Sequence, residues 1–270
     1  MPEHLALAPH AALQPPRHVR VDVLLMNTDR SAFAQRHPDD AQKVITALQA
    51  VRPHWTYRAW DARDGELPPD PLAADAWVLT GSVASVTRPE PWMGRTAEAL
   101  RQRHAVRKAL VGLCFGHQLI AQALGGAVGR SAGGFRLGVA DTQITAQEPW
   151  MDPPQSSLSL FAAHEDQVRH APPGARVLGS SAHCPVSAYA IGQHVLCTQY
   201  HPELTRPFMR DLLATFGPKF GATVAARAAD EIERQVDADI FMHWVARFIE
   251  ASNGSTPSQV TAVHFDAARI

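Results

Sequence analysis

The stretch Lys108-Ala109-Leu110-Val111-Gly112-Leu113-Cys114-Phe115-Gly116-His117-Gln118-Leu119-Ile120 restricts the fold of this chain more than any other. Ala109 to Val111 and Leu113 read as a short buried strand. Apolar residues then recur at Leu119, Ile120, Ala123 and Leu124, which is helical spacing. Between strand and helix stands Gly-x-Cys-x-Gly, the pattern of a nucleophile elbow with cysteine as its nucleophile. Gly112 and Gly116 carry no side chains, so strand and helix can pass closely beside Cys114. The cysteine then stands at a helix N-terminus, where unpaired N–H groups and the helix dipole favour a thiolate. A free cysteine is more often an inert small hydrophobe, so the elbow needs a partner motif.

That partner is Tyr200-His201-Pro202-Glu203, which closes a second apolar run, Val195-Leu196-Cys197. In extended backbone His201 and Glu203 project to the same side, and Pro202 stiffens the link. A histidine that deprotonates a thiol, oriented in turn by a carboxylate, is the logic of a hydrolytic triad. Cys114, His201 and Glu203 are the expected catalytic residues.

The chain in order supplies a sheet to hold them. Val19 to Met26, Trp55 to Trp60, Ala76 to Thr80 and the strand before the elbow alternate with helical patterns at Pro38 to Val51 and about Gly94 to Val106. Alternation of this kind implies a parallel sheet with helices on both faces. Ligands of such sheets sit beyond the carboxyl ends of the strands, where Gly81, Cys114 and His201 all fall. After Gly125-Gly126 the pattern changes to short segments, 139–145, 158–162, 176–180, 186–191 and 194–200, read as mostly antiparallel strands. Helices follow at 204–216, 222–235 and 238–251.

Gly112-x-Cys114-x-Gly116-x-Gln118 with His201-Pro202-Glu203 resembles the class I (triad) glutamine amidotransferases. Thr80-Gly81-Ser82 resembles that family's oxyanion loop. Further phrases, Thr80 to Val86 with Pro91-Trp92, His164-Glu165-Asp166-Gln167-Val168 and Pro172-Pro173-Gly174-Ala175, are similar to stand-alone members, those akin to the GMP synthetase amidotransferase domain and the γ-glutamyl peptidases. The resemblance covers residues 20 to 215. It implies an α/β, flavodoxin-like, open and mostly parallel sheet flanked by helices, with a smaller antiparallel sheet and a C-terminal helical extension. The expected division is a flexible leader (1–18), an amidotransferase-like domain (19–216), the helical extension (217–252) and a flexible tail (253–270). The resemblance also implies a γ-glutamyl thioester on Cys114. Oxyanion donors would come from the backbone near Gly81-Ser82 and of Phe115, with Gln118 holding the substrate. His164, next to Asp166, is a further pocket candidate, although Ala163 stands where relatives carry serine. Where many relatives have Gly-Trp-Glu-x-Gly, this chain has Gly134-Phe135-Arg136-Leu137-Gly138. If Arg136 faces the pocket, it should favour an anionic substrate.

Composition narrows the rest. A formal charge of −1 over 270 residues leaves no basic footprint for nucleic acid. Arg101, Arg103, Arg107 and Lys108 read as the wet face of a helix. No apolar run approaches the roughly 18 residues of a membrane span, and the first residues lack the plan of a signal peptide. Three cysteines give no disulfide framework and fit a reducing cytoplasm. Cys184 and Cys197 read as inert and His117 as structural. The 14 histidines form no recognisable ligand set, so no metal and no cofactor are expected. The expected partner is a small γ-glutamyl substrate. The competing readings are a glutaminase component delivering ammonia to a separate synthase, a catalytically idle module on the same fold, and a cysteine variant of an α/β-hydrolase. The last is disfavoured because its acid precedes its histidine.

Overall fold

The computed structural model describes residues 18–254. The expected leader and tail therefore lie almost entirely outside the described residues. Strands β1 (Arg20–Leu25), β2 (Thr56–Asp61), β3 (Ala76–Leu79) and β4 (Ala109–Leu113) alternate with helices α1 (Asp40–Val51) and α2 (Pro91–Ala105). Helix α3 (Phe115–Ala123) follows β4 directly. Then come β5 (Ala127–Arg130), β6 (Arg136–Ile144), β7 (Ser157–His164), β8 (Asp166–His170), β9 (Ala175–Ser180), β10 (Ala188–Ile191) and β11 (Val195–Thr198). The chain continues with α4 (Arg206–Phe216), a 3-10 turn (Gly217–Phe220), α5 (Ala222–Glu231) and α6 (Ala238–Gly254).

Nine strands form one sheet in the order β2-β1-β3-β4-β11-β10-β9-β6-β7. The first five are parallel. The last four continue the sheet antiparallel. β5 and β8 pair in a separate two-stranded antiparallel sheet. This is the α/β architecture expected from the sequence, with a doubly wound order that reverses between β1 and β3. Such a reversal opens a crevice at the carboxyl edge.

Strand residues divide between the two faces with a period of two. Val21, Val23, Val78, Val111 and Leu113 face α1 and α6 in one core cluster. Leu24, Trp77, Leu79 and Leu110 face α2 and α3 in the other. Both faces are covered, which is why these strands read as continuous apolar runs. A third cluster lies over β6 and β7, where Leu137, Val139 and Phe161 meet Leu204, Met209, Ala228 and Ile232. It seats α4 and α5.

The structure departs from the sequence pattern in three places. Helix α2 begins at Pro91 rather than near Gly94, because proline is accepted at the first position of a helix, where its missing N–H costs nothing. Arg103 is fully buried, not on a wet face. Its guanidinium donates to the carbonyls of Pro71 (2.5 Å), Ala74 and Ala109 (3.1 Å) and lies 4.8 Å from the Trp77 ring centroid. Burial pulls its pKa down to about 9. Strands β5 and β8 have no counterpart in the sequence pattern. Val128 and Val168 pair there, but the glycine-rich flanks hide the alternation.

The tightest junction is at α3. A Cβ on Gly116 would stand 2.6 Å from both the Cβ and the carbonyl oxygen of Leu79, and one on Gly112 would stand 2.7 Å from the His117 nitrogen. Gly116→Ala must therefore push α3 off β3. Overpacking of this kind costs about 1–3 kcal/mol, so a Tm lower by several degrees is expected in thermal unfolding; an unchanged Tm would contradict the packing described.

Candidate active site

β3, β4 and β11 are neighbours in the sheet and all parallel. Their carboxyl ends carry Gly81, Cys114 and His201 respectively, so three motifs far apart in sequence meet at one edge. Thr80 joins them: its carbonyl accepts from Gly116 N–H (3.1 Å) and its hydroxyl from Met26 N–H (2.9 Å). The Ser82 hydroxyl accepts from Ala84 N–H at 3.0 Å, which shapes the following loop.

Cys114 links β4 to α3 at φ +49° and ψ −100°. This is strained backbone for a residue with a side chain. Its N–H donates to Thr198 O at 2.9 Å and its carbonyl accepts from Gln118 N–H at 3.1 Å, so both flanks hold the turn. Phe115 opens α3. Its N–H lies in the first turn, where no intrahelical acceptor exists. Gly81 keeps the space between cysteine and histidine open: a Cβ there would stand 2.9 Å from His201 Cε1 and 3.7 Å from Cys114 Cβ.

His201 Nδ1 lies 2.7 Å from Glu203 Oε1, and both residues are buried. Burial opposes a charge on His201. The Glu203 carboxylate and the Cys114 thiol outweigh it, and the imidazole pKa stands well above its ordinary value. His201 therefore favours its protonated form. The stability that this protonation contributes is present below the ordinary histidine pKa and is lost as pH rises through the raised value.

Gln118 is buried behind the thiol. Its Nε2 donates to Asp166 O (2.7 Å) and to Gln199 Oε1 (3.1 Å). Gln199 Nε2 in turn lies 3.5 Å from Cys114 Sγ. The motifs do not include Gln199, although a lone amide between an apolar strand and Tyr200 is a usable signal. A cavity of about 470 Å³ opens on Cys114, with Ser82, Gln118 and His164 in its lining. A smaller one of about 100 Å³ joins Cys114 to Gly81, His201 and Glu203.

Two side chains near the motifs stay out of the pocket. His117 is buried against Tyr189, ring centroids 5.0 Å apart, on the core side of α3. Arg136 turns away from the cavity. It pairs with Glu231 of α5 at 2.6 Å and donates to the carbonyls of Leu137 and Val139. The premise of an anion-selecting Arg136 fails, because a carboxylate from a distant helix already holds it. Cys184 and Cys197 are buried with thiol pKa values pushed up to about 12.

The class this fold and edge define is borne out by comparison. Residues 41–216 match the class-I glutamine amidotransferase family, and the chain belongs to it. The chain is 31% identical to γ-glutamyl peptidase 2 of Arabidopsis thaliana over 157 residues, which is 56% of this chain and 62% of that protein. It is 29% identical to a glutamine-hydrolysing GMP synthase of Aeropyrum pernix over 69% of this chain and 35% of the synthase. The match thus spans about three fifths of the peptidase and one third of the synthase. A glutamine amidotransferase of Thermotoga maritima superposes with a TM-score of 0.70 at 17% identity, covering 87% of this chain and 99% of that one. Among the described residues no helix is long and apolar enough to cross a membrane.

The histidine environments give a stability prediction. His164 is buried, its Nδ1 3.1 Å from Asp166 O, and burial lowers its pKa to about 3. The folded state then keeps it neutral while the unfolded chain takes up a proton below about 6.5. Stability falls as pH drops from about 6.5 toward 3, by about 2 kcal/mol for this residue at pH 5. Urea unfolding of His164→Gln should lose that much less between pH 7.5 and pH 5 than the wild type; equal losses would contradict the assignment.

Proposed function

We propose that this protein is a cysteine hydrolase that cleaves γ-glutamyl amides through a thioester on Cys114. The observation that carries the reading is the meeting of Cys114 with a buried, carboxylate-paired His201 at the carboxyl edge of adjacent strands. The raised pKa of His201 suits an imidazole that takes up the thiol proton and later delivers it to the leaving amine. The Cys114 sulfur attacks the γ-carbonyl carbon, and the backbone N–H groups of Phe115 and near Gly81-Ser82 receive the oxyanion. Each such donor is worth about 2.7–4 kcal/mol of barrier. The C–N bond breaks as His201 hands its proton to the leaving amine. Water, deprotonated by His201, then cleaves the thioester to release glutamate. Glu203 fixes the histidine tautomer throughout. Gln118 and His164 line the substrate cavity, and the reducing cytoplasm is the setting in which Cys114 stays a thiol.

A second reading has its own support. A protein of Saccharolobus solfataricus, 31% identical over 131 residues, is named as one component of a glutamine-hydrolysing GMP synthase. In that case glutamine would be the substrate and ammonia would pass to a separate synthase.

The test is turnover of glutamine and of γ-glutamyl dipeptides by the purified protein beside Cys114→Ala. Activity on a dipeptide without any partner, absent in the variant, is the expected result. Equal activity in both proteins would refute Cys114 as nucleophile. Glu203→Gln should lower kcat/KM by about 10²–10⁴-fold. It should also move the alkaline limb of the pH profile to lower pH, since the carboxylate is a main support of the imidazolium.

A further inference from the structure

The larger cavity has two unlike walls. One is polar and tightly wired: Gln118 donates to the Asp166 carbonyl, the Ser85 hydroxyl donates to the Asp166 carboxylate, and Arg130 pairs with Glu165 at 3.3 Å. A γ-glutamyl group carries an ammonium and a carboxylate, and this wall offers charges and amides for both. The other wall is apolar and comes from α4, the turn after it and the loop before β6. Phe135 and Phe220 stack with centroids 3.9 Å apart and planes 5° apart, and Leu212 and Phe216 stand beside them in the lining.

The apolar wall reaches the histidine side of the thiol through Leu212, which lines both the large cavity and the small one that His201 borders. Helix α4 begins at Arg206, just after Glu203. Phe208, Leu212 and Phe216 recur every fourth residue, so they form one stripe of that helix. Phe208 and Leu212 line the small cavity with His201, and Leu212 and Phe216 border the large one along the same stripe. Phe33 braces the stripe from the loop after β1, 5.5 Å from Phe208 and 5.0 Å from Phe216 between ring centroids. His201 is the group that protonates the leaving amine, so the amine half of the substrate departs along this wall. Ammonia, the leaving group of glutamine, has no apolar surface to place there.

We propose, building on the hydrolase reading, that the amine half of the natural substrate is bulky and aromatic: the protein cleaves γ-glutamyl amides of aromatic amines in preference to glutamine. Attack by Cys114 forms the S–C bond, the amide C–N bond breaks, and the aromatic amine leaves with the proton of His201. Water then gives glutamate and the free thiol. Offset or edge contacts with Phe216 and with the outer face of the Phe135–Phe220 stack hold the ring. The Arg136–Glu231 pair ties α5 to the start of β6, next to Phe135.

The test separates binding from chemistry. Calorimetric titration of Cys114→Ala with γ-glutamyl-1-naphthylamide and with glutamine gives the preference without turnover. The expected affinity ratio is at least about tenfold in favour of the naphthylamide. In the double variants Cys114→Ala/Phe220→Ala and Cys114→Ala/Phe216→Ala that ratio should shrink at least fivefold. Phe220→Leu, which keeps an apolar side chain without the ring, should shrink it partly and guards against misfolding. Equal affinity for the two ligands, or an unchanged ratio in the variants, would overturn the proposal and leave the wall to a protein partner. An intact binding preference with no turnover of either compound by the wild type would instead overturn the hydrolase reading on which it rests.

Discussion

Everything at this site depends on the close passage of α3 over β3 and β4. Leu79 and Gly116 are in contact along their backbones, and no side chain fits between them. The passage forces the chain to turn within one residue, and that residue is Cys114, held at a positive φ by hydrogen bonds to Thr198 and Gln118. Strain of this sort is kept only where the surroundings over-determine it. Here they do: the elbow lies between two apolar cores and is tied to Thr80 of the neighbouring strand end. The outcome is a thiol at a helix N-terminus, facing the histidine.

The second half of the chain completes what the first half begins. β11 enters the sheet beside β4 and parallel to it, which delivers His201 to the same edge. The antiparallel strands beyond it then provide a floor for α4 and α5. Those helices are more than a packing accessory. Apolar side chains of α4 and of the turn after it close one side of the cavity that opens on Cys114, and a part-buried ion pair from Arg136 to Glu231 holds α5 to β6. Truncating one partner of such a pair leaves the other charge buried and unpaired, so Arg136 contributes to the shape of the pocket from outside it.

Legibility in the sequence follows the range of the interactions. The elbow and the His201-Pro202-Glu203 phrase are readable because each is local, and each follows an apolar strand whose period is plain. The parallel pairing of the first strands is readable because strands and helices alternate. Arg136 misleads because its partner, Glu231, is 95 residues away, and a lone arginine in a glycine-rich stretch gives no sign of that. Arg103 misleads because a helix pattern does not reveal that backbone carbonyls from a loop and a strand await its guanidinium. Gln199 and the Phe135–Phe220 stack belong to the same class: tertiary packing creates them, and only the polar break at Gln199 leaves a trace.

The central claim is that the thiol of Cys114 becomes covalently acylated. The most direct measurement is intact-protein mass spectrometry on samples quenched in acid during turnover of a γ-glutamyl amide, followed by peptide mapping. The account predicts a γ-glutamyl adduct on the peptide carrying Cys114, absent from Cys114→Ala and accumulating when the leaving amine is a good one. Sustained turnover with no adduct at any quench time, or an adduct on another residue, would contradict it.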